Sequence, residues 1–172
     1  SYRQLIPLSL ATRAERIDMK SAAWLTGKLM KTLSFVHVSG FTVGLIDASN
    51  VFIETAVHGV FILDFTSASE DPTEAEQIAE VAEAAEVVWT AIGGPADYSA
   101  DNLPPFDEAL MTVEDHGYFA AWLIEAMEGN MSASAMHQFG YELFDRIWPK
   151  VPNADGSSLK RQWHEYVTYP RG

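Results

Sequence analysis

Apolar residues recur at three- and four-residue intervals in four long segments of the chain, which is the spacing of the buried face of a helix. Asp18 is a candidate N-cap of the first segment. Ser39-Gly40 and Gly93-Gly94 are typical ends of the first and second segments. The predicted helices span residues 13–38, 73–92, 113–128 and 134–148, and a last helix is expected to start near residue 157.

Two short runs rich in β-branched and aromatic residues lie between the first two predicted helices, at residues 51–54 and 60–64. His58-Gly59 lies just before the second run and is typical of a hairpin turn. A chain of 172 residues suits one domain. The pattern therefore predicts a mainly α fold, a single helical domain over residues 1–172 with one small β-hairpin.

Charge is distributed very unevenly along the chain. The net charge is −13, and every Lys and Arg lies before residue 32 or from residue 146 onwards, so that residues 32–145 carry only acidic charge. Binding to nucleic acid requires cations that displace phosphate counterions, so the composition excludes it. An anionic membrane surface is disfavoured for the same reason. A basic protein partner or a divalent cation is favoured instead.

The second predicted helix carries a dense row of carboxylates opposite its apolar stripe. We expect this row to form the outer face of the helix and to be the candidate partner-binding surface. Its members are Glu74, Glu76, Glu80, Glu83 and Glu86.

The chain contains no cysteine, which excludes disulfides, cysteine zinc sites and thiol nucleophiles. The absence fits a reducing compartment, and we expect a cytoplasmic protein. No apolar run approaches the ~18 residues that a transmembrane helix needs. The five His residues show no tight metal-binding spacing. No cofactor is expected, with a magnesium ion as the one candidate.

The stretch His37 to Ile53, HVSGFTVGLIDASNVFI, resembles the end of the long C-lobe helix and the catalytic loop of protein kinases. Without a gap, His37 and Gly40 match the kinase His-x-x-Gly, and Asn50 matches the metal-binding Asn. The residues after Asn50 match the following strand. This resemblance implies a fold similar to a kinase C-lobe, with Asn50 as a candidate metal ligand.

Two further segments extend the resemblance. The second β-rich run ends in Asp64-Phe65-Thr66, which looks like the strand that leads into the kinase Asp-Phe-Gly motif. Thr112 to Asp115, before an apolar helix, resembles the start of the central C-lobe helix. The resemblance implies that Asp64 and Asn50 could hold a magnesium ion together, since each offers an oxygen ligand.

The departures from the kinase pattern fall on the catalytic groups. Leu45 stands where kinases carry the Asp that accepts the proton of the attacking hydroxyl, and Val43 replaces the neighbouring His. Asp47 stands at the position of the Lys that touches the transferred phosphate, where a carboxylate would repel it. No Gly-rich nucleotide loop precedes the stretch. The resemblance therefore implies a catalytically inactive, pseudokinase-like scaffold.

We therefore expect a non-catalytic protein-binding module with a strongly acidic surface. One alternative is an acidic inhibitor or decoy, of the immunity or nucleic-acid-mimic type, that occupies a basic protein cleft. A second alternative is a metal-dependent phosphotransferase that uses Asp47, Asn50 and Asp64 around an ion. The last requires ligand oxygens at ~2.0–2.6 Å from one ion.

Overall fold

The computed structural model describes residues 5–54, 59–152 and 159–160 of the chain. The elements follow in the order β1 (Leu5–Pro7), α1 (Leu8–Ala11), α2 (Met19–Val38), β2 (Phe41–Thr42), β3 (Val51–Glu54), β4 (Gly59–Ile62), β5 (Ser69–Glu70), α3 (Glu74–Ala91), α4 (Val113–Met127), α5 (Ala133–Ile147), β6 (Val151–Pro152) and β7 (Leu159–Lys160).

Helix α2 is the central element, and it packs against both α5 and α3. The predicted cap is confirmed, because the Asp18 carboxylate accepts a hydrogen bond of 2.8 Å from the backbone N–H of Ser21. The cap sets the start of the helix at Met19, so the residues from 13 onwards that were predicted to be helical precede it. The buried face includes Leu25, Leu29 and Leu33.

The predicted mainly α fold with a single hairpin is wrong, and the domain is of the α+β type. The predicted hairpin is present as β3 and β4, but β1 adds to it as a third antiparallel strand, with Ile6 opposite Ile53. Further short strand pairs join β2 to β5 and β6 to β7. Strands of two or three residues leave no periodic pattern in the sequence, because their pairing is decided by neighbouring elements rather than by local preference.

The C-terminal part also differs from the prediction. Residues Leu159–Lys160, expected in a last helix, form strand β7 against β6. The rest of that predicted helix, including Trp163 and Tyr166, lies outside the described residues.

One hydrophobic core joins α2, α3, α4, α5 and the inner face of the three-stranded sheet. Aromatic rings of α4 and α5 meet in this core, where Phe144 lies 5.2 Å from Trp122 and 6.1 Å from Trp148, measured between ring centroids. On the sheet, Val51, Ile53 and Ile62 face the core.

Candidate functional site

The segment that carries the kinase resemblance lies between three elements. The β2–β3 loop, residues 43–50, runs between α3 and the segment that follows β4. It is held to α3 by Glu80 and to the end of β4 by Asn50. These two side chains decide what the loop can present to a ligand.

Glu80 ties the loop to both long helices. Its Oε2 lies 2.7 Å from Nε2 of His37 in the last turn of α2, and its Oε1 accepts a 2.7 Å hydrogen bond from the backbone N–H of Gly44. Both side chains of the His37–Glu80 pair are more than nine-tenths buried. The backbone oxygen of His37 also accepts a hydrogen bond from Gln77. The kinase-like His37 is therefore a structural anchor of α3 in this fold.

Gly44 is required at this point of the loop. Its φ of +86° lies in the left-handed region, and an added Cβ would overlap the backbone oxygen of Ser67. The loop and the segment after β4 therefore touch through their backbones. The sequence pattern gave no sign of this approach.

Asn50 fixes the other side of the loop. Its Nδ2 donates to the backbone oxygens of Leu45, at 2.8 Å, and Asp64, at 2.9 Å. Its Oδ1 accepts from the backbone N–H groups of Leu63, at 3.2 Å, and Asp64, at 2.6 Å. A carboxamide has two donors and two acceptor positions, so these four bonds use its full capacity. The buried Asn50 amide has no lone pair left for an ion.

Asp47 and Asp64 each close a local turn with one carboxylate oxygen. Asp47 Oδ1 accepts hydrogen bonds from Ser49, through its backbone N–H and its hydroxyl, and from the backbone N–H of Asn50. Asp64 Oδ1 accepts from the backbone N–H and the hydroxyl of Thr66. The Ser49 hydroxyl holds the pKa of Asp47 below its ordinary value, and that of Thr66 does the same for Asp64. Both carboxylates are therefore ionised at neutral pH.

The structure brings the three candidate metal ligands into one neighbourhood without aiming them at one point. Asn50 contacts the backbone of Asp64, not its carboxylate. The hydrogen bonds from Thr66 lower the pKa of Asp64, and the negative charge of Asp47 only opposes part of that lowering, so the two carboxylates interact electrostatically. Within the described ranges, no group of three or more His, Asp or Glu side chains is arranged to hold a metal ion. The magnesium site thus stays a prediction that this geometry does not support.

The catalytic-loop substitutions also have structural roles. Val43 is fully buried in the core, while Leu45, at the position of the kinase catalytic Asp, is 36% exposed. In the alignment that the resemblance gives, Leu45 thus carries no group that could accept a proton.

The acidic row on α3 is exposed as expected at four of its five positions. The exception is Glu80, which is only 4% exposed because it pairs with His37, so its place on the outer face is corrected. Sequence alone could not show this, since His37 lies far away along the chain. The four exposed members are Glu74, Glu76, Glu83 and Glu86.

Two clefts open between α3 and the loop. The first, of about 280 Å³, is lined by Glu76 and Glu83 together with the backbone side of Gly44. The second, of about 250 Å³, is lined by Asp47, Glu83 and Glu86. Glu83 lies at the border of both, so the α3 carboxylates continue across the clefts to the loop.

Glu83 shows the electrostatic consequence of this crowding. Burial raises its pKa above the ordinary value, and the neighbouring charges of Glu80 and Glu86 add to the rise, against a hydrogen bond from the backbone of Ile46. None of the ion pairs in the described part of the chain involves an exposed α3 carboxylate. A cation brought to this face would therefore meet carboxylates that form no ion pair with a Lys or Arg of the described helices and loops.

Comparison with known proteins adds no family to this picture. No family model matches the chain, and no curated protein is similar to it. No helix among the residues that the structure describes is both long and apolar enough to cross a membrane.

Proposed function

We propose that this chain is a non-catalytic protein-binding module whose acidic α3 face engages a basic partner. The observation that carries the proposal is the row of exposed carboxylates Glu74, Glu76, Glu83 and Glu86, which continues across the clefts to Asp47 and has no cationic neighbour along residues 32–145. Such a face attracts a positively charged surface at long range and repels nucleic acid.

The arrangement of the kinase-like loop supports a role without phosphoryl transfer. Asn50 uses its whole amide on the backbone, and Leu45 replaces the proton acceptor. In this proposal the chain is a kinase C-lobe-like scaffold, and its β2–β3 loop is a rigid support for the acidic face. The lack of cysteine is consistent with a protein that acts in a reducing compartment such as the cytoplasm.

The experiment compares two variants with the same change in net charge. In the first, Glu74, Glu83 and Glu86 become Gln, which leaves the capping residue Glu76 intact. In the matched control, the exposed residues Glu108, Glu128 and Glu142, outside α3, become Gln. Binding of a fluorescent lysine homopeptide is measured by anisotropy over a range of salt concentrations.

We expect the α3 variant to bind roughly tenfold more weakly than the unaltered protein at low salt, and the control to stay within about threefold. The α3 variant should also show a shallower salt dependence, because fewer charge contacts are lost on screening. Equal weakening by both variants would show that only net charge matters and would contradict the proposal, as would the absence of binding.

A further inference from the structure

The outer face of the three-stranded sheet carries exposed apolar side chains at the β4 end, while Glu54, on the same face as Phe52, is only 2% exposed. In the antiparallel pair β3–β4, Phe52 lies directly opposite Phe61, so their side chains share the face turned away from the buried Ile62. Phe61 is 43% exposed, and Leu63, two residues further on, is 51% exposed. A sheet face turned to water ordinarily carries polar side chains, so these residues call for a covering surface.

The apolar surface continues past the end of the strand. Phe65 is 49% exposed and Leu45 is 36% exposed. Asn50 holds these segments together, because its amide bonds to the backbone of Leu45 on one side and of Leu63 on the other. We name this set the sheet-end patch; its members are Leu45, Phe61, Leu63 and Phe65.

Negative charge borders the sheet-end patch. Asp64 lies between Leu63 and Phe65 in the chain and is exposed, and Asp47 follows Leu45 by two residues. The turns that hold their carboxylates lower the pKa of both groups, so both stay ionised. Asp47 also lines the cleft with Glu83 and Glu86. The apolar patch and the acidic α3 face therefore adjoin each other across the β2–β3 loop.

This combination selects the chemistry of a partner. A second copy of the chain placed symmetrically on the patch would bring Asp47 and Asp64 close to the same carboxylates of its mate, and each copy carries a net charge of −13. A segment with apolar side chains on one side and Lys or Arg beside them would satisfy both surfaces at once. An amphipathic helix presents side chains in this way.

We infer that the sheet-end patch and the adjoining α3 carboxylates form one docking surface for a cationic amphipathic segment of a protein partner. The inference rests on the proposed function and specifies it. The carboxylates supply long-range attraction and orientation, and the patch supplies burial of apolar area, which does not weaken with salt.

The test uses two peptides of equal positive charge, a lysine homopeptide and a helical peptide with leucines on one face and lysines on the other. A third peptide has the composition of the second in shuffled order. Binding is measured for the unaltered protein, for the double variant Leu63→Ser/Phe65→Ser, and for the control Phe35→Ser/Phe139→Ser. The control residues are at least as exposed, at 75% and 56%, and lie on α2 and α5.

We expect the amphipathic peptide to bind at least about tenfold more tightly than either other peptide, and to keep most of that advantage at high salt. The double variant should lose the advantage and retain its affinity for the lysine homopeptide, whereas the control should retain both. Amide chemical-shift changes on titration of the peptide should cluster at residue 45 and residues 61–66.

The possible outcomes distinguish failure of the docking inference from failure of the proposed function. Equal affinity for all three peptides would overturn the docking inference and leave the acidic face as the binding surface. Absence of binding by every peptide would overturn both. Chemical-shift changes centred on Phe139, or a dimer in sedimentation that Leu63→Ser abolishes, would also overturn the inference, the latter in favour of a second copy as occupant.

Discussion

Replacement of Asn50 by Ala tests the claim that the kinase-like loop is a structural support. The amide is 2% exposed and makes four hydrogen bonds, two to backbone oxygens and two to backbone N–H groups. The substitution removes all four and leaves the backbone of Leu45, Leu63 and Asp64 without these partners. The loop and the end of β4 then lose their main connection.

The expected cost follows from the number of bonds and their surroundings. A net contribution of about 1 kcal/mol for each hydrogen bond gives about 4 kcal/mol, and access of water to the freed backbone groups reduces this to about 3 kcal/mol. Asn102→Ala is the matched control, because Asn102 Nδ2 bonds to the backbone and carboxylate oxygens of Asp97 at an exposed turn. Its loss should cost less than about 1 kcal/mol.

Urea unfolding followed by tryptophan fluorescence gives the free energy of each variant, with an unchanged slope confirming that the folded state is intact. Asn50→Asp makes the test sharper. A carboxylate facing the two backbone oxygens at this position repels them, so this variant should be destabilised at neutral pH and partly recover on protonation. If Asn50 were instead a metal ligand, Asn50→Asp would keep its stability at neutral pH and would be stabilised by magnesium. Stability of Asn50→Asp equal to that of the unaltered protein, or its rescue by magnesium, would refute the structural role.

Three further changes probe the same framework by urea unfolding. Gly44→Ala should lower the free energy of unfolding by at least about 3 kcal/mol, because its φ is left-handed and the added Cβ would overlap the backbone of Ser67. Gly40→Ala, with a similar φ but open space around the added Cβ, should lower it by only about 1 kcal/mol. Equal losses would contradict the close approach of the β2–β3 loop to Ser67. Glu80→Ala should lower the free energy of unfolding by about 3 kcal/mol, because it leaves the buried His37 ring and the backbone N–H of Gly44 without their partner. Glu80→Gln should lower it clearly less. Equal losses in the two variants would argue against these hydrogen bonds. Burial lowers the pKa of His116, so the unfolded state takes up this proton at a higher pH than the folded state, and stability should fall as the pH drops below about 6.5. His116→Gln should remove this part of the pH dependence. A pH profile of stability that His116→Gln leaves unchanged would contradict the role of His116.

The parts of the fold that could be predicted are those with local causes. The four long helices follow from apolar periodicity, and the start of α2 follows from the Asp18 cap. Helix α3 begins at Glu74, within one residue of the predicted start, because Thr73 and Glu76 form a capping box after a turn at Asp71, whose φ is +51°. A cap and a periodic stripe are readable because their partners lie within a few residues.

The parts that could not be predicted depend on distant partners. Strand β1 forms because it pairs with β3, where Ile6 lies opposite Ile53. Glu80 is buried because it pairs with His37 of another helix. The sequence indicated Asn50 as a metal ligand, whereas its actual partners at Leu63 and Asp64 lie at the end of a different strand. The apolar run at residues 60–63, followed by Phe65 after Asp64, is a signal that could have indicated an uncovered sheet face.

The most direct test of the central claim is thermal unfolding with two ligands in parallel, magnesium with ATP and the amphipathic lysine–leucine peptide. A ligand that binds only the folded state raises its stability by mass action, by about 2.7 kcal/mol at a hundredfold excess over its Kd. We expect a higher Tm with the peptide and an unchanged Tm with magnesium and ATP. A rise with magnesium and ATP that Asp64→Ala abolishes, with no rise from the peptide, would contradict it.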